Sequence, residues 1–567
     1  MSSPSRYALG ATPPGHPDTP LGANMELTPS AHRDTFPRDH LPPAEQWPRL
    51  LLDLPELHYP ERLNCGAELL DATIERYGAD RTAFRDGTTG AVWTYGELRG
   101  HVDRIAHVLT GELGVVPGNR VLLRGPTTPW LAACWLAVMK AGAVAVTVLA
   151  QQRARELAVM CEMARVTHAL CDIRSVDDLV KAEVPGLRIT AYGGDAPDDL
   201  LHLAAGRPAP YRAVETAADD VALIAFTSGT TGRPKGCMHF HRDVLAVADT
   251  FSARVLRPEP DDVFAGSPPL GFTFGLGGLV IFPLRAGASA LLLEQAGPGQ
   301  LLPAIAKHRV SVLFTAPTAY RLMLDDLASR HDVSSLRRCV SAGENLPAAT
   351  WRAWHERTGL RIINGIGATE LLHIFISAAD GDIRPGTTGV PVPGWEARVV
   401  DGASGLPVPD GEPGLLAVRG PVGCRYLADP RQREYVRDGW NVTGDTYVRE
   451  PDGWFRYVAR ADDMIISAGY NIAGPEVEDA LLGHPDVVEA AVVGRPDELR
   501  GRIVAAYVVL RDGVARDEST AAALRDFVKT RLVPYKTPRS VVFLDALPRT
   551  ATGKLQRFRL RDPNGGP

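Results

Sequence analysis

The residues from Phe226 to Gly236, FTSGTTGRPKG, form a run of hydroxyl and glycine positions that closes on a lysine. Thr227, Ser228, Thr230 and Thr231 supply four hydroxyls, Gly229 and Gly232 leave their backbone unobstructed, and Lys235 supplies one ammonium. Such a set suits an anion with many oxygens, because successive backbone N–H groups form a concave phosphate cradle. It is not a Walker A loop, which sets glycine directly before the lysine and opens a helix there. Here Pro234 precedes the lysine, lacks an N–H and biases Arg233 toward extended backbone. The chemistry implied is a pliable wrap around a triphosphate, without a helix dipole.

Four further stretches follow in order: NGIGATE at 364–370, TGD at 443–445, RADDMIISAGYNI at 460–472 and PRTATGK at 548–554. With the loop, they resemble the adenylate-forming superfamily of acyl-CoA synthetases, luciferases and peptide-synthetase adenylation domains, over roughly residue 41 to the C-terminal end. The resemblance implies that ATP is held by Thr227, Ser228, Gly229, Thr230, Thr231, Gly232 and Lys235, with Asn364, Gly365, Asp445 and Arg460 around the nucleoside. It also implies that Glu370 holds Mg²⁺ against the triphosphate beside Thr369, in keeping with a hard cation that needs only one or two carboxylates. Lys554 is the implied catalytic lysine, a mobile cation for the charge that builds when a carboxylate attacks the α-phosphate. Two positions depart from the family pattern. Ile366 stands where many relatives stack an aromatic ring on adenine, and Ala459 where most have glycine.

The implied reaction has two halves: acyl-adenylate formation with loss of pyrophosphate, then opening of that mixed anhydride by a thiol. The thiol is that of CoA or of a phosphopantetheinyl carrier protein. In the family a small domain rotates between the halves, which makes Asp462 the expected hinge and Ala468 and Gly469 the expected wall of a pantetheine tunnel.

The acid is expected to be aromatic. GIGATELLHIFIS and IRPGTTGVPVPGW resemble benzoate-CoA ligases, whereas HLPPAEQWPRLLLDLPELHYPERLN near the start is more similar to the 2-aminobenzoate type. The expected acyl pocket comprises Phe272, Phe274, Gly343, Gly367 and His373, the last one turn beyond Glu370 on a helix. Glycines 271, 275, 277 and 278 are expected to open space beside the two phenylalanines. Benzoate, 2-aminobenzoate and 2-hydroxybenzoate are all compatible, since an apolar pocket separates them weakly unless a buried partner would be left unpaired. The pair His239 and His241 lacks a nearby third ligand and reads as structural.

The elements that must position these residues follow a βαβα rhythm. Thr94 and Glu97 form a capping box before a helix whose apolar face is Leu98, Val102, Ile105, Ala106 and Leu109. RVLLR, AVAVTVL and THALC are strand-like, with helices between, and the rhythm returns between 262 and 363. This indicates an α/β fold: a large N-terminal domain of mixed, largely parallel sheets covered by helices over 41–461, and a small mobile α+β domain over 462–567. Residues 1–40, rich in Pro, Ser, Thr and His, are expected to be a disordered tail, and Met25 is a candidate start.

A formal charge of -6 with no basic run argues against a nucleic-acid partner. Seven scattered cysteines without a CxxC pair fit a reducing cytoplasm better than a disulfide or metal framework. The apolar stretch WLAACWLAVMKAGAVAVTVLA carries Lys140 and a glycine, and reads as a buried helix turning into a buried strand, so no membrane span is expected.

Overall fold

A computed structural model describes residues 27–227, 233–327, 331–467, 470–497, 501–549 and 555–561. The expected loop residues Ser228, Gly229, Thr230, Thr231 and Gly232, the tunnel residues Ala468 and Gly469, and Lys554 lie outside these described residues.

Among the described residues the strands build two large sheets. One has six strands in the order 188–192, 168–172, 120–124, 144–147, 221–227 and 235–240, parallel except for the last. The other has nine, with 362–367, 338–341, 312–315, 263–266, 289–292 and 82–86 parallel at its centre and antiparallel strands at both margins. Parallel strands need helical crossovers that cover both faces, so their strands are apolar along their whole length. Arg120–Arg124 and Val144–Thr147 are buried at every position.

The helix Pro129–Lys140 between them is buried nearly throughout. Its lysine ends in an ion cluster, with Lys140 Nζ 2.6 Å from Asp103 and 2.8 Å from Asp71 on the two flanking helices. The capping box at Thr94 and Glu97 is formed as its spacing requires. Among the described residues, no helix is long and apolar enough to cross a membrane.

A third sheet was not anticipated. The strands 396–400, 413–419, 436–437, 440–449 and 455–460 form an antiparallel sheet, which carries Asp445 and Arg460 as direct cross-strand neighbours. Beyond it, Ile465 to Leu560 form their own cores around the three strands 487–497, 501–510 and 540–543 and the helices Gly474–Leu482 and Glu518–Lys529.

The expectation of a disordered segment up to residue 40 fails for 27–40. Phe36 is buried, Arg38 donates to Asp219 at 3.1 Å and to the Thr28 carbonyl, and Ser30 and Ala31 donate to Asp220. The anchoring carboxylates lie some 190 residues away in sequence, so local composition holds no trace of them.

Candidate functional site

The strand Val221–Thr227 ends at Thr227, and the chain returns antiparallel as Lys235–Phe240, pairing Thr227 with Lys235. Thr227 and Lys235 thus sit at the carboxyl end of a parallel strand, where open α/β sheets place their ligands. Lys235 opens a strand and not a helix, as Pro234 dictates.

From the other sheet, Ile362–Gly367 delivers Asn364 and Gly365 and then turns through a single 3-10 turn at Thr369–Leu371. Glu370 is 7% exposed, and its Oε1 accepts a hydrogen bond from the Tyr426 hydroxyl at 2.6 Å. Lys235 Nζ donates to the same hydroxyl at 2.7 Å and lies 3.3 Å from Oε1. Tyr426 therefore bridges the lysine of one sheet to the carboxylate of the other. Burial, and then the Glu370 charge, hold its phenol far above the ordinary value, so it stays a neutral donor. Its backbone N–H is fixed by Gln432, and the Tyr435 ring packs edge-on against it at 5.7 Å. Tyr426 also lines a cavity of about 370 Å³ between 39–46 and 426–433. Sequence reasoning missed Tyr426, because CRYLADP carries no local pattern that marks it.

His239 and His241 do not converge. His239 Nε2 lies 2.8 Å from the Thr369 carbonyl and so pins the turn that presents Glu370, whereas His241 Nδ1 lies 3.2 Å from the backbone nitrogen of Cys65. Burial pushes their pKa values down to about 4 and about 3.

Asp445 and Arg460 pair directly, Nη1 to Oδ1 at 3.1 Å, and the guanidinium also donates to the Thr443 carbonyl. Burial opposes the Arg460 charge, but Asp445 and Asp462 outweigh it and raise its pKa. Gly444 has φ +76, and a Cβ there would meet Arg460 at 3.3 Å, so glycine serves both the turn and the arginine. Asp462 lies in the short turn Ala461–Asp463, 3.7 Å from Arg460 Nε. Asn364 donates to the Thr387 carbonyl.

The acyl-pocket candidates are rearranged relative to expectation. His373 is not on a helix. Leu372 takes φ +67 and ψ -44, the His373 N–H closes a three-residue turn onto the Leu371 carbonyl at 2.8 Å, and the strand Ile374–Ser377 follows. A γ-turn of this hand is rare and strained for a residue with a side chain. It swings His373 into a cage of Phe251, Phe274, Phe282 and Phe314, with ring centroids 4.5–6.3 Å from the imidazole. Burial pushes its pKa down to about 3 against a hydrogen bond with the Phe274 backbone, and the imidazole makes no other hydrogen bond among the described residues.

Phe272 and Phe274 do not share an extended segment. A helical turn begins at Thr273, leaving Phe272 half-buried at the N-cap, while Phe274 packs on Phe314 at 5.5 Å. The neighbouring glycines do not open space. A Cβ at Gly277 would stand 2.3 Å from His373, at Gly278 2.7 Å from Phe314, at Gly275 2.2 Å from the Pro269 carbonyl and at Gly271 2.4 Å from that of Val148. They admit close packing instead. Gly367 likewise lies against the His373 backbone, whereas Gly343, at φ +93, has nothing within 4 Å of a Cβ.

The described site thus comprises the Lys235–Tyr426–Glu370 bridge and the Asp445–Arg460 pair. Comparison with known proteins matches residues 70–426 to the AMP-binding enzymes and residues 476–554 to the AMP-binding enzyme C-terminal domain. The chain belongs to the AMP-binding enzyme family. It is an AMP-forming acid–thiol ligase that uses ATP and CoA, with Mg²⁺ as its cofactor.

Among members of the AMP-binding enzyme family, it is 35% identical over 520 residues to the benzoate–CoA ligase of Thauera aromatica, spanning 89% of this chain and 97% of that protein. It superposes with a TM-score of 0.85 on the crystal structure of an anthranilate CoA ligase in complex with anthranoyl-AMP, at 32% identity, over 90% of this chain and 98% of that one. A benzoate CoA ligase from Burkholderia xenovorans LB400 gives a TM-score of 0.81 at 34% identity, over 88% and 100%. The donor set fits the AMP-binding enzymes' magnesium: Glu370 is a single, nearly buried carboxylate beside a lysine that seeks anions, enough for a cation that keeps most of its waters and binds phosphates.

Proposed function

We propose that the protein is an ATP-dependent aryl acid–CoA ligase that activates a benzoate-type acid. The observation that carries this reading is one short turn, which presents Glu370 to Lys235 on one side and, three residues later, His373 to a ring of phenylalanines on the other. A triphosphate and an aromatic acid held by those groups would meet at the turn. In the first half-reaction, a carboxylate oxygen of the acid attacks the α-phosphorus, the bond to the β-phosphate oxygen breaks, and pyrophosphate leaves. In the second, the CoA thiol adds to the acyl carbon, its proton passes to solvent, and the bond to AMP breaks.

In this reading Lys235 and the loop Thr227–Gly232 hold the triphosphate, Asp445 and Arg460 hold the ribose, and Asn364 reads the adenine amino edge with Ile366 beneath the ring. Glu370 and the phosphates would hold Mg²⁺, which neutralises phosphate charge when bound. Lys554 stabilises the attacking and leaving oxygens. Residues 462–567 form the small domain, which turns at Asp462 so that Ala468 and Gly469 face the pantetheine.

Among the three acids, the buried imidazole favours 2-aminobenzoate over benzoate. A neutral imidazole in an apolar cage whose one polar contact is the Phe274 backbone has a second ring nitrogen to pair, which gains a partner from an ortho amine and none from hydrogen. The test is mass spectrometry of the products from purified protein with Mg-ATP, CoA and equimolar benzoate, 2-aminobenzoate and 2-hydroxybenzoate. More 2-aminobenzoyl-CoA than benzoyl-CoA is expected. Dominant benzoyl-CoA would sink the role given to the imidazole, and an aryl-adenylate without any CoA ester would sink CoA as the acceptor.

A further inference from the structure

Arg549 lies five residues before Lys554 in sequence and stands between two carboxylates of different parts of the molecule. Its Nη1 donates to Glu344 Oε1 at 2.8 Å and its Nη2 to Glu489 Oε2 at 2.7 Å. All three side chains are three-quarters buried or more. Glu489 is on the strand Val487–Asp497, so the Arg549–Glu489 pair lies wholly within the C-terminal unit.

Glu344 belongs to the large unit. It follows Gly343 just beyond the strand Arg338–Ser341, and its second oxygen accepts from Thr318 Oγ1 at 2.7 Å on the helix Pro317–Leu327. Close by, Arg321 of the same helix donates to the Val487 carbonyl at 2.6 Å. One carboxylate therefore belongs to the same unit as Arg549 and the other to the large unit. Burial opposes the charge on Arg549, yet Glu344 and Glu489 raise its pKa.

We propose that Glu344 is a positioning residue for the adenylation half-reaction: it captures Arg549 and so seats the segment that leads to Lys554 against the large domain. The inference rests on the proposed assignment of Lys554. Its logic is geometric. The Arg549–Glu344 bond exists only when the C-terminal unit sits as it does here, whereas the Arg549–Glu489 bond survives in any placement. Neutralising Glu344 thus weakens the seated state without disturbing the fold of either part, and the amide introduced by Glu344→Gln keeps an oxygen for Thr318 to bond.

The experiment compares wild type with Glu344→Gln in two assays: single-turnover pyrophosphate release with Mg-ATP and aryl acid, and thioester formation from supplied aryl-adenylate and CoA. Loss of one hydrogen bond to a charged partner predicts an adenylation rate about tenfold lower, with thioester formation unchanged. Equal slowing of both assays, or of neither, overturns the proposal.

A second measurement needs no substrate and keeps this inference separate from the choice of acid. Spin labels at exposed Asp195→Cys and Asp512→Cys, one on each unit, should give a narrow distance distribution that broadens on adding Glu344→Gln. An unchanged distribution overturns the latch even if aryl-CoA is made. Conversely, a wild type that activates none of the aryl acids refutes the substrate reading, while the distances still decide the latch.

Discussion

Replacing Tyr426 by phenylalanine removes one hydroxyl that serves two charged groups. That hydroxyl donates to Glu370 at 2.6 Å and accepts from Lys235 at 2.7 Å. A hydrogen bond to a charged group contributes about 1.5–3 kcal/mol to stability, so two of them set an upper bound of about 6 kcal/mol. The bound is not reached, because Lys235 Nζ and Glu370 Oε1 are already 3.3 Å apart and can close on each other once the phenol is gone. Direct pairing recovers most of the loss and leaves a net of about 1.5–2 kcal/mol. In the proposed reading the recovered contact works against function: a lysine locked on a carboxylate must be released before it meets phosphate, and the carboxylate before it meets magnesium. At about 1.4 kcal/mol per tenfold, the KM for Mg-ATP should rise about ten- to thirtyfold. The assay is acid-dependent ATP–pyrophosphate exchange, with Mg-ATP varied at saturating aryl acid and the acid varied at saturating Mg-ATP. An unchanged KM for Mg-ATP, or an equal rise in the KM for the acid, would refute the bridging role.

Three further outcomes are expected. Lys554→Ala should slow adenylate formation by about 10² or more while thioester formation from supplied aryl-adenylate proceeds; equal loss in both halves would show that the lysine does something else. His373, with a folded pKa of about 3 against about 6.5 unfolded, stays neutral while the unfolded chain takes up a proton, so its contribution to stability is lost as pH falls from about 6.5 toward 3. At pH 5 the loss is about 2 kcal/mol, and denaturant midpoints of His373→Phe should show less acid sensitivity than wild type; parallel pH curves would contradict it. Gly277→Ala sets a methyl 2.3 Å from an imidazole that phenylalanines hem in, and overpacking of this kind costs about 1–3 kcal/mol. The KM for the aryl acid should rise several-fold with that for Mg-ATP unmoved, and a variant identical to wild type in both would show that the ring has room.

The strand-and-helix rhythm of the large domain was legible because buried parallel strands must be apolar end to end and the helices between them must show one face. The sheet over 396–460 was not, since its antiparallel strands are separated by turns and do not share one burial pattern: Glu396–Val400 sits half in solvent while Trp440–Arg449 is mostly buried. The loop ending in Lys235 was legible because proline and glycine act on the backbone where they stand. Tyr426 was invisible for the opposite reason: its role arises only when two sheets bring Lys235 and Glu370 to it from 191 and 56 residues away. The glycines around Phe274 were misread because absence of a side chain means either room or contact, and only neighbours decide which. His373 was assigned to a helix because no residue in TELLH forecasts a left-handed leucine.

All seven cysteines are buried, none more than 1% exposed, and Cys237 and Cys424 pack with Tyr426 beside the proposed phosphate site. Burial raises both of these thiols well above their ordinary range. An acyl-adenylate is an indiscriminate acylating agent, and a thiolate within reach would capture it as a dead-end ester of the enzyme itself. By keeping its own sulfur protonated and out of contact, the protein leaves the incoming cofactor thiol without a rival for the activated acid, a form of chemical self-protection that comes from packing alone.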